Sequence, residues 1–206
     1  MASPSAATRQ SLLKAATTLF AEHGYDGASV RAIVARARAN QAAINYHFGG
    51  KEGLYLEVLK AAFEAFTRGD REAGRLEELS PEEALRRFIR AQLRPLLSRD
   101  ELSRYLQIFT WESVRPSKVL RQFMVDKAAP FMSSAIALVR RFLPPASSDH
   151  EAMCAAIWLL GQCSVFVRNR AHFTQAPFEL KIDEAFVDWL TDLLTGLALR
   201  GLRRQA

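Results

Sequence analysis

Residues Asn40–Tyr55 read NQAAINYHFGGKEGLY, and they suit neither an ordinary core helix nor an ordinary solvated one. A core helix would exclude Asn45 and His47, and a solvated helix has no use for Ala42 and Ala43 beside Tyr46. At about 100° of rotation per residue, Ile44 and Phe48 share one face of a helix over 41–48. That face is a greasy seam aimed at Leu19, Phe20, Ile33 and Val34. Ala42 and Tyr46 fall roughly opposite, Ala43 and His47 on one flank, Gln41 and Asn45 on the other. Small side chains permit close approach, and Asn and Gln amides pair in bidentate fashion with adenine edges, so this outer surface fits the major groove of a duplex. Tyr46 and His47 reach a phosphate or a base.

The flanking residues give this helix its limits. Asn40 is an N-cap, and Gly49 and Gly50 break the helix before a fourth one starts at Lys51. A cation in a first turn sits at the positive end of the helix dipole, which is mildly unfavourable. The conflict disappears if a DNA phosphate is held there by the Gly50 and Lys51 amides and the ammonium. Upstream, Leu12, Leu13, Ala16, Leu19 and Phe20 make a helical stripe that His23 and Gly24 end. Ser29 caps a short second helix with Val30, Ile33 and Val34 inward. Two short helices joined by a tight turn, the second with a groove-fitting surface, form a helix-turn-helix. Between Ala28 and Lys51 the charges are Arg31, Arg36, Arg38 and Lys51, with no acidic residue.

These residues resemble the TetR family of transcriptional regulators. The likeness is carried by LLKAATTLFAEHGYDGASVRAIVARA (12–37) and INYHFGGKEGLYLEVL (44–59). AAINYHFGGKEGLY, Glu112 with Pro116, Pro130 and GQCSVFVRNR (161–170) further resemble the CecR-like subfamily. The resemblance implies an all-α homodimer whose N-terminal helices bind operator DNA and whose larger C-terminal domain binds a small effector. It places Arg31, Gln41, Ala42, Ala43, Asn45, His47 and Lys51 at the DNA, with Ser29, Val30 and Tyr46 beside them. The division expected is 1–50 for the helix-turn-helix domain and 51–206 for effector binding and dimerisation, linked by the helix over about 51–68. One position departs from the family pattern: Arg38 stands in the turn where glycine is usual. Either the turn is altered, or Arg38 gains a phosphate contact that offsets a left-handed backbone.

The rest of the chain has helical periodicity almost throughout. SPEEALRRF starts a helix with Ser80 as N-cap, Pro81 at the first position and Glu83 closing a capping box. It runs toward Ser98, with Pro95 bending its last turn. Further helices are expected over about 101–111, 118–143, 149–172 and 183–202. The large side chains of residues 63–173 read first as packed core. The resemblance implies that some line an effector cavity, for which Phe66, Tyr105, Phe109, Trp111, Phe131, Trp158 and Phe166 are candidates, with Glu112 and Gln162 as polar groups that orient the ligand. The helix over 149–172 has small residues (Ala155, Ala156, Gly161, Ser164). The last has an apolar stripe at Phe186, Leu190, Leu193, Leu194 and Leu197. Two such helices from each subunit would make a four-helix dimer bundle.

Composition bounds the alternatives. The 206 residues are 49% hydrophobic with a formal charge of +6, enough for a sizeable core and suited to an anionic partner. Two cysteines, nine residues apart, lie about 180° apart on one helix and cannot bridge within it. They read as inert buried thiols. The start, MASPSAATRQ, has no apolar core, and the run Met153–Val167 is interrupted by Gly161, Gln162 and Ser164, so a cytoplasmic protein without a membrane segment is expected. His23, His47, His150 and His172 follow no metal-ligand spacing, and no cofactor, metal site or catalytic residue is expected. A small-molecule-binding module with weakened DNA binding is the competing reading, and an enzyme the more distant one.

Overall fold

A computed structural model describes residues 4–72, 76–97 and 101–202, and every regular element among them is helical. The chain forms two compact units, Met1–Ala65 with Asp100–Lys127, and Phe66–Arg99 with Ala128–Ala206. The packing therefore groups residues differently from a division at residue 50: a segment near the middle of the chain joins the N-terminal helices.

The first unit contains α1 (Pro4–Gly27), α2 (Val30–Ala37), α3 (Gln41–Phe48), most of α4 (Lys51–Glu72), α6 (Glu101–Val114) and α7 (Lys118–Phe123). α1 packs on α2, α3 and α6. The expected stripe is its core face: Leu12, Ala16, Leu19 and Phe20 are buried, Leu13 only half so. Gly24 does interrupt α1, but as a kink and not as its end, with φ 69° and ψ 179°. Only glycine adopts that backbone readily. The kink has a partner on α6, where the Trp111 indole lies over Gly24 and its Nε1–H donates to the Ala21 carbonyl at 3.0 Å. A carbonyl released by the break is thereby satisfied. α4 buries Leu54, Tyr55, Val58, Leu59 and Ala62 along one stripe. Each large side chain there contributes about 1.5–3 kcal/mol of transfer free energy.

The second unit contains α5 (Pro81–Leu93), a 3₁₀ turn (Arg94–Leu97), α8 (Ala129–Arg140), α9 (Asp149–Arg168), α10 (Arg170–Phe173) and α11 (Glu184–Leu202). α5 packs against α8, α9 and α11, burying Leu85, Phe88, Ile89 and Leu93. Its solvent edge pairs with α11 through Arg86–Asp192 at 2.7 Å and Arg90–Asp188 at 2.8 Å. Exposed pairs of this kind add little stability and mainly fix register.

Several expectations are corrected. The helix expected over 118–143 is three pieces, α7, a π-helical turn (Met124–Ala128) and α8. The helix over 149–172 breaks at Asn169, whose side-chain amide donates to the Val165 carbonyl. At Ser80 only half of the capping box is present, because the Glu83 carboxylate accepts from Arg87 instead. A complete, reciprocal box occurs at Ser148 and Glu151. Only Cys163 is a buried thiol, its pKa pushed up to about 12 by burial, whereas Cys154 is exposed. By length and composition, α9 is long and apolar enough to cross a membrane, despite its three interruptions.

Candidate nucleic-acid interface

The second and third helices are capped as their sequences dictate. The Ser29 hydroxyl accepts from the Ala32 amide at 3.1 Å, and the Asn40 side-chain oxygen accepts from the Ala43 amide at 2.8 Å. Gly49, at φ 73°, ends α3 with its amide donating to the Asn45 carbonyl. Ile44 and Ile33 are fully buried, and Phe48, Val30 and Val34 are half-buried. The seam is therefore real but narrow.

The opposite surface of α3 is open. Gln41, Ala42 and Asn45 are exposed, Ala43 and His47 half-buried, and Tyr46 stands 81% exposed with its ring edge-on to His47. Ser29 and Arg31 are exposed at the start of α2. The residues proposed for the groove thus form one accessible surface, backed by buried isoleucines. A large exposed aromatic on a rigid helix is unusual for a solvated surface and suits a contact surface.

Of the two options for the turn, the structure has the unaltered one. Arg38 occupies the left-handed region at φ 53° and ψ 40°, and the Arg38 and Ala39 amides close the end of α2 on the Ala35 and Val34 carbonyls. A left-handed arginine costs about 1–2 kcal/mol relative to glycine, less glycine's own entropy loss of roughly 0.5–1 kcal/mol. Arg38→Gly is therefore expected to stabilise the chain by about 0.5–1 kcal/mol, a rise of a few degrees in Tm by thermal denaturation. An unchanged or lower Tm would mean that the arginine is not strained.

The junction of α3 with α4 holds residues that the sequence reading missed. Arg9 lies 5.1 Å over the Phe48 ring and donates to Glu57 at 2.5 Å, tying α1 and α4 to the end of α3. Glu57 also accepts from Lys60, which, with Arg9, holds its carboxyl below the usual carboxylate range despite partial burial. A Cβ at Gly53 would lie 1.8 Å from the Phe48 carbonyl oxygen, so no side chain fits there. The glycine in KEG was the available signal, and only the position of the Phe48 carbonyl gives it meaning.

Lys51 begins α4 with its ammonium 4.6 Å from the centroid of the Tyr25 ring. Partial burial lowers its pKa below the usual lysine value, with Asp26 pulling the other way. A cation held at the positive end of a helix dipole and partly stripped of water gains more than usual from an incoming anion. Tyr25 was missed, because nothing in its spacing connects it to Lys51.

The effector candidates are divided between the two units. Tyr105, Phe109, Trp111 and Glu112 belong to the first unit, and Trp158, Gln162 and Phe166 to the second. Phe66 and Phe131 lie outside the residues whose side chains are described. Trp111 is committed to the kink in α1. Both Glu112 oxygens have protein partners, Oε1 accepting from the Tyr55 hydroxyl at 2.5 Å and Oε2 from the Ser117 amide at 2.6 Å. Trp158 packs against Gly201, Gln162 is half-buried, and the Phe166 ring lies 5.8 Å from that of Phe173, tilted by 41°.

Comparison with known proteins agrees with this arrangement. Residues 12–58 match the family model of the bacterial regulatory proteins, tetR family, and residues 81–202 match that of the C-terminal domain of the HTH-type transcriptional dual regulator CecR. The chain is 27% identical over 205 residues to the HTH-type transcriptional repressor NicS of Pseudomonas putida, covering 96% of this chain and 93% of that one. It is 34% identical over 119 residues to the repressor AcnR of Corynebacterium glutamicum, covering 58% and 57%. A TetR-like regulator from Rhodococcus sp. RHA1 superposes with TM-score 0.70 at 22% identity over 98% of each chain. AibR, solved in complex with isovaleryl coenzyme A and operator DNA, superposes with TM-score 0.66 at 17% identity over 92% of this chain and 97% of that one. The two short capped helices with an exposed outer surface on α3 and the two family matches lead to one conclusion: the chain belongs to the TetR family of helix-turn-helix transcriptional regulators and carries a CecR-type C-terminal domain.

Proposed function

We propose that the chain is a homodimeric, cytoplasmic repressor that binds near-palindromic operator DNA and releases it when a small apolar or amphipathic effector binds. The observation that carries the DNA reading is the open outer surface of α3, with Lys51 directly beyond it at the start of α4. In this reading Gln41, Asn45, Tyr46 and His47 face the bases, Ala42 and Ala43 allow close approach, and Ser29, Val30, Arg31 and Lys51 hold the backbone. The repressor names of NicS and AcnR support the sign of regulation, and the complex of AibR supports effector and operator binding by one fold. Nothing in this scheme calls for catalysis or a cofactor.

Dimerisation draws support from α9 and α11, which pack together and leave large side chains in solvent. Met153, Ile157 and Val165 recur on α9, and Trp189, Leu193 and Leu197 on α11, at four- and eight-residue spacings. Leu190 and Leu194 of the expected stripe are buried, so the outward stripe is 189–193–197. An apolar surface of this extent on two adjacent helices fits a four-helix dimer bundle, and it accounts for the membrane-like apolarity of α9 without a membrane.

The test is titration with duplex from the intergenic DNA beside the gene at several salt concentrations. A steep salt slope with sequence preference supports the reading, and effector binding without duplex binding overturns it. Asn45→Ala or Gln41→Ala is expected to change sequence preference, by about 1–3 kcal/mol at the base pair contacted, with little effect on the salt slope. Parent-like selection by both variants would remove them from the interface.

A further inference from the structure

Glu112 and Tyr55 stand outside the DNA reading, yet among the described residues of the first unit they are a deeply buried polar pair. Tyr55 is 0% exposed and Glu112 only 4%. A carboxylate in such a place is retained only if its oxygens are satisfied. One holds the Tyr55 hydroxyl and the other the Ser117 amide, where the chain turns from α6 into α7. Burial and the Glu112 hydrogen bond both push the Tyr55 phenol well above its usual pKa, so it remains a donor.

From Tyr55 the contacts run toward the DNA side. Its ring lies 4.8 Å from that of Tyr25 and edge-on to Phe20 at 4.6 Å. Tyr25 carries the Lys51 ammonium at 4.6 Å. Gly24, immediately before Tyr25, lies under the indole of Trp111, the residue before Glu112. Two consecutive residues of α6 therefore hold Tyr25 from two sides, one through the backbone of α1 and the other through Tyr55. Close-packed rings transmit displacement and do not absorb it.

We propose that Glu112 and Tyr55 are positioning residues for the DNA contact, setting the place of Lys51 through Tyr25 and so linking the α6–α7 corner to the phosphate site. This rests on the DNA reading for Lys51. A shift of the corner that withdraws the Ser117 amide leaves a buried carboxylate one donor short, and the Tyr55 hydroxyl must move to compensate. The chain is then a physical path along which an event at α6 reaches the duplex.

A double-mutant cycle tests it. Lys51→Ala, Tyr55→Phe and the double variant are titrated with a mixed-sequence duplex at low ionic strength, where phosphate contacts dominate. Tyr55→Phe keeps the ring and removes only the donor. It is expected to remain folded by circular dichroism, to weaken duplex binding about three- to tenfold, and to add nothing once Lys51 is alanine. Glu112→Gln, whose single amide oxygen can accept from only one of the two donors, should behave alike. NMR of the DNA-free protein should show the Tyr25 ring resonances moved in both. Additive effects, parent-like binding by Tyr55→Phe or unmoved Tyr25 resonances would each overturn the proposal. If Lys51→Ala itself binds duplex like the parent, the DNA reading for Lys51 fails instead, and the two failures are distinct.

Discussion

Leu193→Glu combined with Leu197→Glu is expected to leave the chain folded but monomeric, and to lower operator affinity by about a hundredfold or more. Both side chains are large, apolar and roughly half in solvent on α11, while Leu190 and Leu194, which the substitution spares, are the ones buried against the chain's own core. Two glutamates on each copy would place four carboxylates in a dimer bundle, and burying unpaired charge is prohibitive. The loss on DNA follows from linkage. A dimer binds its second half-site at an effective concentration that raises avidity by about 10²–10⁴, and separate monomers forgo that factor. Sedimentation gives the oligomeric state and titration with a two-half-site duplex gives the affinity. A double variant that stays dimeric would move the interface off α11.

Lys51→Ala is expected to weaken every duplex by roughly ten- to a hundredfold, from a charge-assisted hydrogen bond of about 1.5–3 kcal/mol, and to reduce the salt slope by about one. Sequence preference should be unchanged, because a phosphate contact carries no base information. The variant also relieves an unfavourable cation at a helix start, so its Tm should hold or rise slightly. A drop in affinity with no change in salt slope would mean that Lys51 supports the fold of the joint and touches no phosphate.

The features legible in the sequence were those set by local chemistry. Caps at Ser29, Asn40 and Ser80, the break at Gly49, and the inward Ile33 and Ile44 all follow from neighbours within a few positions, and the fold class followed with them. The missed features depend on contacts distant in the chain. Tyr25 meets Lys51 across 26 positions, just past a kink at Gly24 over which Trp111, still more distant in the chain, lies. Glu112 looked available to a ligand because its partner Tyr55 lies 57 positions away. On α11 the period was correct and the facing only in part, with Leu193 and Leu197 outward but Leu190 and Leu194 buried, since the side that α5 and α9 cover cannot be read from one helix.

The missing room at Gly53 has a mechanical meaning. With the carbonyl of Phe48 seated against the first turn of α4, a rotation of α4 is expected to carry α3 with it. α4 has 22 residues, roughly 33 Å at about 1.5 Å per residue. A swing of about 5° at its distal end would carry the reading head roughly 3 Å, close to the rise of about 3.4 Å between successive nucleotides on one strand. A small angular change of that kind would be sufficient to put α3 out of step with a bound duplex.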